Sequence, residues 1–184
     1  MNYKKARGYL SPDEREYLFT MAKESNLILN IGVEYGASIH CFRDGNPNAT
    51  IIAIDLIGNE KFEGDVGKQV YFDDTQVTIH NSDFSIIDSL KQPFVLFIKA
   101  DSNTLEIDRT SALIFIDGCH WGECVKNDID KYSQLATKYL LFHDYSDSPI
   151  HLGVKEALDN WDCTGFQKIK QVDTIAVYKR VEHK

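Results

Sequence analysis

The sequence predicts an α/β protein, a mostly parallel sheet covered by helices and closed by an antiparallel hairpin. Three observations carry that prediction. In LILNIGVEYG, residues 27–36, the run 27–33 is apolar apart from Asn30 and the stretch carries two glycines four residues apart, so a strand buried on both faces breaks sharply into a helix. Further apolar, β-branched segments alternate with segments of helical period, which is the pattern of βαβ units. Residues 166–170 and 174–178 are separated only by Gln171, Val172 and Asp173, and so short a connection makes the last strand antiparallel to its neighbour.

The first helix begins at Ser11-Pro12-Asp13-Glu14. Ser11 suits the cap, Pro12 the first helical position, and Glu14 completes a capping box. It should run to about residue 23 and pack Tyr17, Leu18 and Met21 against the sheet, although a leading helix can also cover a ligand pocket. After the strand at 27–33, Gly32 and Gly36 bracket a turn, and Ala37 and Ser38 open a helix that reaches about residue 42. The turn signal DGNPN at 44–48 leads into a strand at 50–54 that ends at Asp55. In this βαβ unit the bare turn can meet a nucleotide-like ligand. Asp55, about 20 residues further on, can accept from both hydroxyls of a ribose.

Residues 58–92 read as a variable, exposed excursion, with Gly58, Gly64 and Gly67 among acidic residues, a short strand at 77–80 and a short helix at 84–90. The strand at 94–98 is clearer. Asp83 and Asp101 both qualify as the carboxylate that closes the third strand. The strand at 112–116 ends in Asp117-Gly118-Cys119-His120 and is followed by a helix at 122–135 with Val125, Ile129 and Tyr132 on one face. The strand at 138–142 ends in His143-Asp144-Tyr145, and a helix at 152–161 precedes the hairpin. Strand C-terminal ends line the ligand crevice of such sheets, so Asp117, His120, His143 and Asp144 should converge there.

With 184 residues the chain fits one domain, 1–184, whose residues 1–24 form a leading helical segment. A net charge of -8 argues against nucleic acid as a partner. No apolar run reaches the ~20 residues that span a bilayer, and the N-terminus lacks the apolar stretch of a signal peptide, so a cytoplasmic protein is expected. The four cysteines lack paired spacing and read as free, mostly buried thiols. Cys119, His120, Cys124 and His143 do not have the spacing of a structural zinc site. Trp121 and Trp161 could line an acceptor pocket, but aromatic core packing is the safer assignment.

The segments NIGVEYGAS (30–38), IIAIDL (51–56), LIFIDGCHWGECVKNDI (113–129), LLFHDY (140–145) and GVKEALDNW (153–161) together resemble the class I S-adenosylmethionine-dependent methyltransferases. The likeness is to the small bacterial group with IDG-x-H and HDY strand ends, similar to macrocin O-methyltransferases and cephalosporin hydroxylase-like methyltransferases. The resemblance implies a Rossmann-like three-layer α/β/α sandwich with a seven-stranded mixed sheet, its last strand antiparallel. It implies S-adenosylmethionine as cofactor, with Gly32 and Gly36 against its methionine part and ribose and Asp55 on the ribose hydroxyls. Glu34, Ser38, Leu56, Ser102 and Asp117 would lie beside the same cofactor. Asp101 or Asp83 would flank the adenine, and the spacing to IDG favours Asp101. Asn30 stands where many members carry an acid that helps hold the cofactor's ammonium group.

Methyl transfer is an in-line displacement at a sulfonium carbon, so the protein aligns the reactants and manages the acceptor's proton. Asp117 and Asp144, at adjacent strand ends, suit a hard cation, and similar proteins bind magnesium at corresponding places. His143 stands where they often have an acid. His120, or else His143, is the candidate base, with Asp117 beside it, while a buried His143 bonded to the protein is the structural alternative. The expected reaction is O-methylation of a small hydroxylated molecule or sugar by a monomer or homodimer. A cofactor-binding domain without turnover and a partner-binding scaffold are the alternatives.

Overall fold

The computed structural model describes residues 2–56, Gly64, the backbone of Gln69–Asp73, and residues 94–181. Four helices, α1 (Pro12–Met21), α2 (Ala37–Gly45), α3 (Gly122–Leu135) and α4 (Leu152–Asp159), flank a sheet. Its strands are β1 (Leu27–Ile31), β2 (Thr50–Asp55), β3 (Gln69–Asp73), β4 (Val95–Lys99), β5 (Ser111–Ile116), β6 (Ala136–Phe142), β7 (Phe166–Val172) and β8 (Ile175–Arg180). The order is β3-β4-β2-β1-β5-β6-β8-β7. Every pair from β3 to β6 is parallel, and β8 is antiparallel to both β6 and β7. Seven of the strands expected from the sequence are present in the mixed arrangement. An eighth, β3, extends the edge from within the segment that reads as a loop. The strand expected at 77–80, the helix at 84–90 and Asp83 lie outside the described residues.

Strand residues alternate between two apolar layers. Leu29, Ile31, Ile114 and Ile116 face α3 and α4 through Val125, Ile129, Tyr132, Val154 and Leu158. Ile28, Ile51, Leu113 and Phe115 face α1 and α2 through Leu18, Met21, Ile39 and Phe42. Covering both faces requires apolar residues at successive positions, which is why β1, β2 and β5 read as unbroken runs. The capping box at Ser11 forms as expected, with Ser11 Oγ accepting from Glu14 N and Glu14 accepting from Ser11 N. The β7–β8 turn is tighter than the sequence suggests. Val172 pairs with Ile175, and Asp173 takes the left-handed conformation, φ 46°, that a two-residue hairpin turn favours. Among the described residues, no helix is long and apolar enough to cross a membrane.

Candidate functional site

The sheet register gathers the site. Ile31 pairs with Ile54 on one side and Ile116 on the other, and Ile116 pairs with Phe142. The following residues of those strands, Gly32, Asp55, Asp117 and His143, therefore emerge side by side at the C-terminal edge. Gly32 is required by close approach. A Cβ there would lie 1.9 Å from the Asp117 carbonyl oxygen, and its φ is +82°. The turn then continues with Glu34 at φ 45° and Gly36 at φ 83°. Glu34 thus holds a left-handed conformation at a cost of about 1 kcal/mol. Compensation comes from β2: Val33 N and Glu34 N both donate to Asp55 Oδ2, at 2.7 and 3.0 Å. The turn's amides are held by Asp55, and Asp55 lines the cleft beside them.

That cleft has a volume of about 1730 Å³. A typical small-ligand site measures ~300–1,000 Å³, so a nucleoside and a second small molecule fit together. Gly32, Glu34, Ser38, Asp55 and Leu56 line it from the first βαβ unit, and Asp101 and Ser102 from the loop after β4. Asp101 Oδ1 accepts from Asn103 N at 2.9 Å, while Ser102 O accepts from Lys131 Nζ and the Tyr132 hydroxyl, at 2.6 and 3.1 Å. Helix α3 thereby fixes the loop that presents Asp101. Two expected residues do not reach the cleft. Gly36 caps α2. Asn30 is fully buried: its Nδ2 donates to Gly32 O at 2.6 Å, and its Oδ1 has no hydrogen-bond partner among the described residues.

At the ends of β5 and β6 the side chains form one charged cluster. His143 Nδ1 lies 2.9 Å from Asp117 Oδ1 and 3.3 Å from Asp144 Oδ2, and its Nε2 lies 3.3 Å from Glu14 Oε2. Burial disfavours the imidazolium, but the Asp117 charge and the hydrogen bonds to Asp117, Asp144 and Glu14 push its pKa up to about 12. His143 is therefore a cation at neutral pH with no lone pair to act as a base, and the structural alternative describes it. It also stands between the two carboxylates expected to hold magnesium. A hard ion needs near-octahedral oxygens at about 2.0–2.1 Å, and Asp117 and Asp144 instead close on an imidazolium. The residues present do not fit magnesium there.

Glu14 is the member that sequence reasoning missed, because the capping box already accounts for it. Its Oε1 accepts from Thr174 N and Oγ1 at 2.9 and 2.7 Å, joining α1 to the closing hairpin. Burial works to raise its pKa, but hydrogen bonds from His143, Thr174 and Ser11 prevail and lower it to about 2. Asp144, at φ 62°, is the second hub. Its Oδ2 meets His120 Nε2 at 2.9 Å and its Oδ1 meets His151 Nδ1 at 3.2 Å. The hydrogen bond to Asp144 raises the His120 pKa above the ordinary imidazole value. No pattern in the sequence marks His151, which precedes α4 as an isolated histidine.

Some expectations are corrected. Trp121 is 81% exposed at the cleft and does not pack in the core, because the chain turns outward between β5 and α3. Trp161 does pack, against Phe142, Phe166 and Tyr178. Only Cys41 is buried, and the other three thiols are partly exposed. Among the described residues, no candidate metal-binding group includes a cysteine.

A parallel sheet with one strand inserted in reverse and flanked by helices is a Rossmann-like arrangement that solved methyltransferase structures share. Solved structures that share it include cofactor-bound Rv0187 from MTB, at a TM-score of 0.63 and 14% identity over 96% of this chain and 84% of that one. The O-methyltransferase NovP matches at 0.60 and 13%, over 94% and 81%. The S-adenosylhomocysteine-bound Podospora anserina methyltransferase PaMTH1 matches at 0.56 and 14%, over 95% and 80%. No protein-family model matches the chain, and no curated protein does.

Proposed function

We propose that the protein transfers a methyl group from S-adenosylmethionine to a hydroxyl of a small acceptor. The observation that carries this reading is the joint placement, in one cleft, of the Asp55-locked glycine turn and the His120–Asp144 pair. Solved structures of the same fold that are described as O-methyltransferases, NovP among them, support it. Asp55 receives the ribose, Gly32, Glu34 and Ser38 flank the methionine part, and Leu56, Asp101 and Ser102 border the adenine. Asp117 stands near the reacting end. The cofactor supplies an electrophilic methyl on a sulfonium: the acceptor oxygen bonds to carbon as the carbon–sulfur bond breaks and its electron pair returns to sulfur. In the metal-free protein, His120 donates Nε2–H to Asp144 and takes the hydroxyl proton at its other ring nitrogen, and Asp144 stabilises the imidazolium so formed. His143, already protonated, positions Asp117 and Asp144.

Calorimetry with S-adenosylmethionine and S-adenosylhomocysteine, followed by labelled-methyl transfer to a panel of phenols, sugars and hydroxy acids, tests the reading. Saturable binding of both nucleosides and transfer to at least one hydroxyl class are expected. Absence of binding to either nucleoside would remove it.

A further inference from the structure

We infer that His120, Asp144 and His151 form a site for a borderline divalent transition ion such as zinc or cobalt, sharing Asp144 with the carboxylate pair where the resemblance places magnesium but directed to the opposite side, toward the two histidines. One potential ligand atom from each lies within 4.8 Å of the other two. His120 Nε2 and His151 Nδ1 approach opposite oxygens of Asp144, at 2.9 and 3.2 Å. A tetrahedral ion with bonds of ~2.0–2.1 Å sets its ligands roughly 3.3 Å apart, so small side-chain rotations convert the cluster into three ligands. Two imidazoles and one carboxylate suit borderline ions, whereas magnesium prefers an all-oxygen shell.

The backbone is built to hold this arrangement. The two histidines come from different loops, and their rings meet edge to face with centroids 4.9 Å apart. Those loops are pressed together through Gly153, where a Cβ would fall 2.3 Å from the His120 carbonyl oxygen and 2.8 Å from Gly122 N. The left-handed Asp144 completes the set from β6. The side chains of His120 and His151 remain 36% and 27% exposed, so an ion can enter and keep an open position toward the cleft. With His120 engaged in this way, an acceptor hydroxyl meets a Lewis acid in place of a free imidazole. That consequence rests on the methyl-transfer reading, whereas the site itself does not.

The test is titration of Co²⁺ into the metal-free full-length protein, read by visible d–d absorption, with S-adenosylhomocysteine calorimetry on the same samples. One equivalent should bind. His120→Ala and His151→Ala should each weaken binding by on the order of 100-fold or more, since even outer-sphere partners of metal ligands are worth 10–100-fold. Asp117→Asn should retain it, and thermal unfolding checks that each variant is folded. The proposal is overturned by the absence of a saturable band in the wild type, by binding that survives both histidine substitutions, or by loss in Asp117→Asn with His151→Ala unaffected. Cobalt binding without nucleoside binding would keep the metal site and discard the methyl-transfer reading.

Discussion

Glu14→Gln isolates the buried pair that joins α1 to the strand ends. The Glu14 side chain is 3% exposed and that of His143 is 6% exposed, so solvent screens the pair little. The Glu14 carboxyl falls from 4.5 to about 2 on folding. At 1.36 kcal/mol per pKa unit this is a contribution of about 3 kcal/mol, at the lower end of the ~3–5 kcal/mol lost when one partner of a buried pair is removed. A depressed carboxyl pKa stabilises the fold fully above its unfolded value near 4.5, and the contribution disappears as pH falls through about 2. His143 has the opposite sign. Its pKa rises from 6.5 to about 12, so its contribution is complete below 6.5 and is lost as pH rises toward 12. Urea unfolding at about pH 6 should therefore show Glu14→Gln less stable by about 3 kcal/mol, with a melting temperature roughly 6–12 °C lower. At about pH 3 the gap should be clearly smaller, because the wild-type carboxylate is losing its advantage there. A difference below about 1 kcal/mol at pH 6, or one of equal size at both pH values, would refute the ion-pair assignment.

Asp55→Asn should weaken S-adenosylhomocysteine binding by roughly 10–150-fold, the worth of ~1.5–3 kcal/mol for a charge-assisted hydrogen bond, and calorimetry measures it directly. Unchanged affinity would detach Asp55 from the ribose. Asn30→Asp would by position alone supply a charge for the cofactor's ammonium group, but it replaces the donor 2.6 Å from Gly32 O with an oxygen. A loss of about 2–4 kcal/mol in equilibrium unfolding is expected, and undiminished stability with tighter cofactor binding would contradict it. For the metal-free protein, kcat/KM should rise with pH through a midpoint above the ordinary imidazole value of 6.5, since His120 must lose its proton to act as base and Asp144 holds that proton. His120→Gln should abolish this limb, and a profile that it leaves intact would assign the base elsewhere.

The layered fold was legible because its causes are local. Unbroken apolar runs mark β1, β2 and β5, the period of Val125, Ile129 and Tyr132 marks α3, and the short link before Ile175 marks the reversed strand. Strand ends were legible for the same reason, and register then brought Gly32, Asp55, Asp117 and His143 into one row. Long-range partners were not. Glu14 and His143 are 129 residues apart, and nothing in a capping box distinguishes a glutamate that also meets a histidine. The orientation of Asn30 was not legible either, because the same position can point toward a ligand or back to its own turn, and its Nδ2 turns to the Gly32 carbonyl.

The histidine at the end of β6 becomes intelligible only when α1 is counted as part of the site. His143 brings a positive charge between Asp117 and Asp144, and Glu14 supplies a third acid from α1. Three carboxylates, Asp117, Asp144 and Glu14, then surround one imidazolium. The ring is tethered to the sheet, and its position depends on α1 and the closing hairpin through Glu14 and Thr174. That tether leaves the outer oxygens of Asp144 directed at His120 and His151, on the side open to the cleft. His143 contacts both Asp117 and Asp144, so substitutions at His143 should act through the positions of both carboxylates.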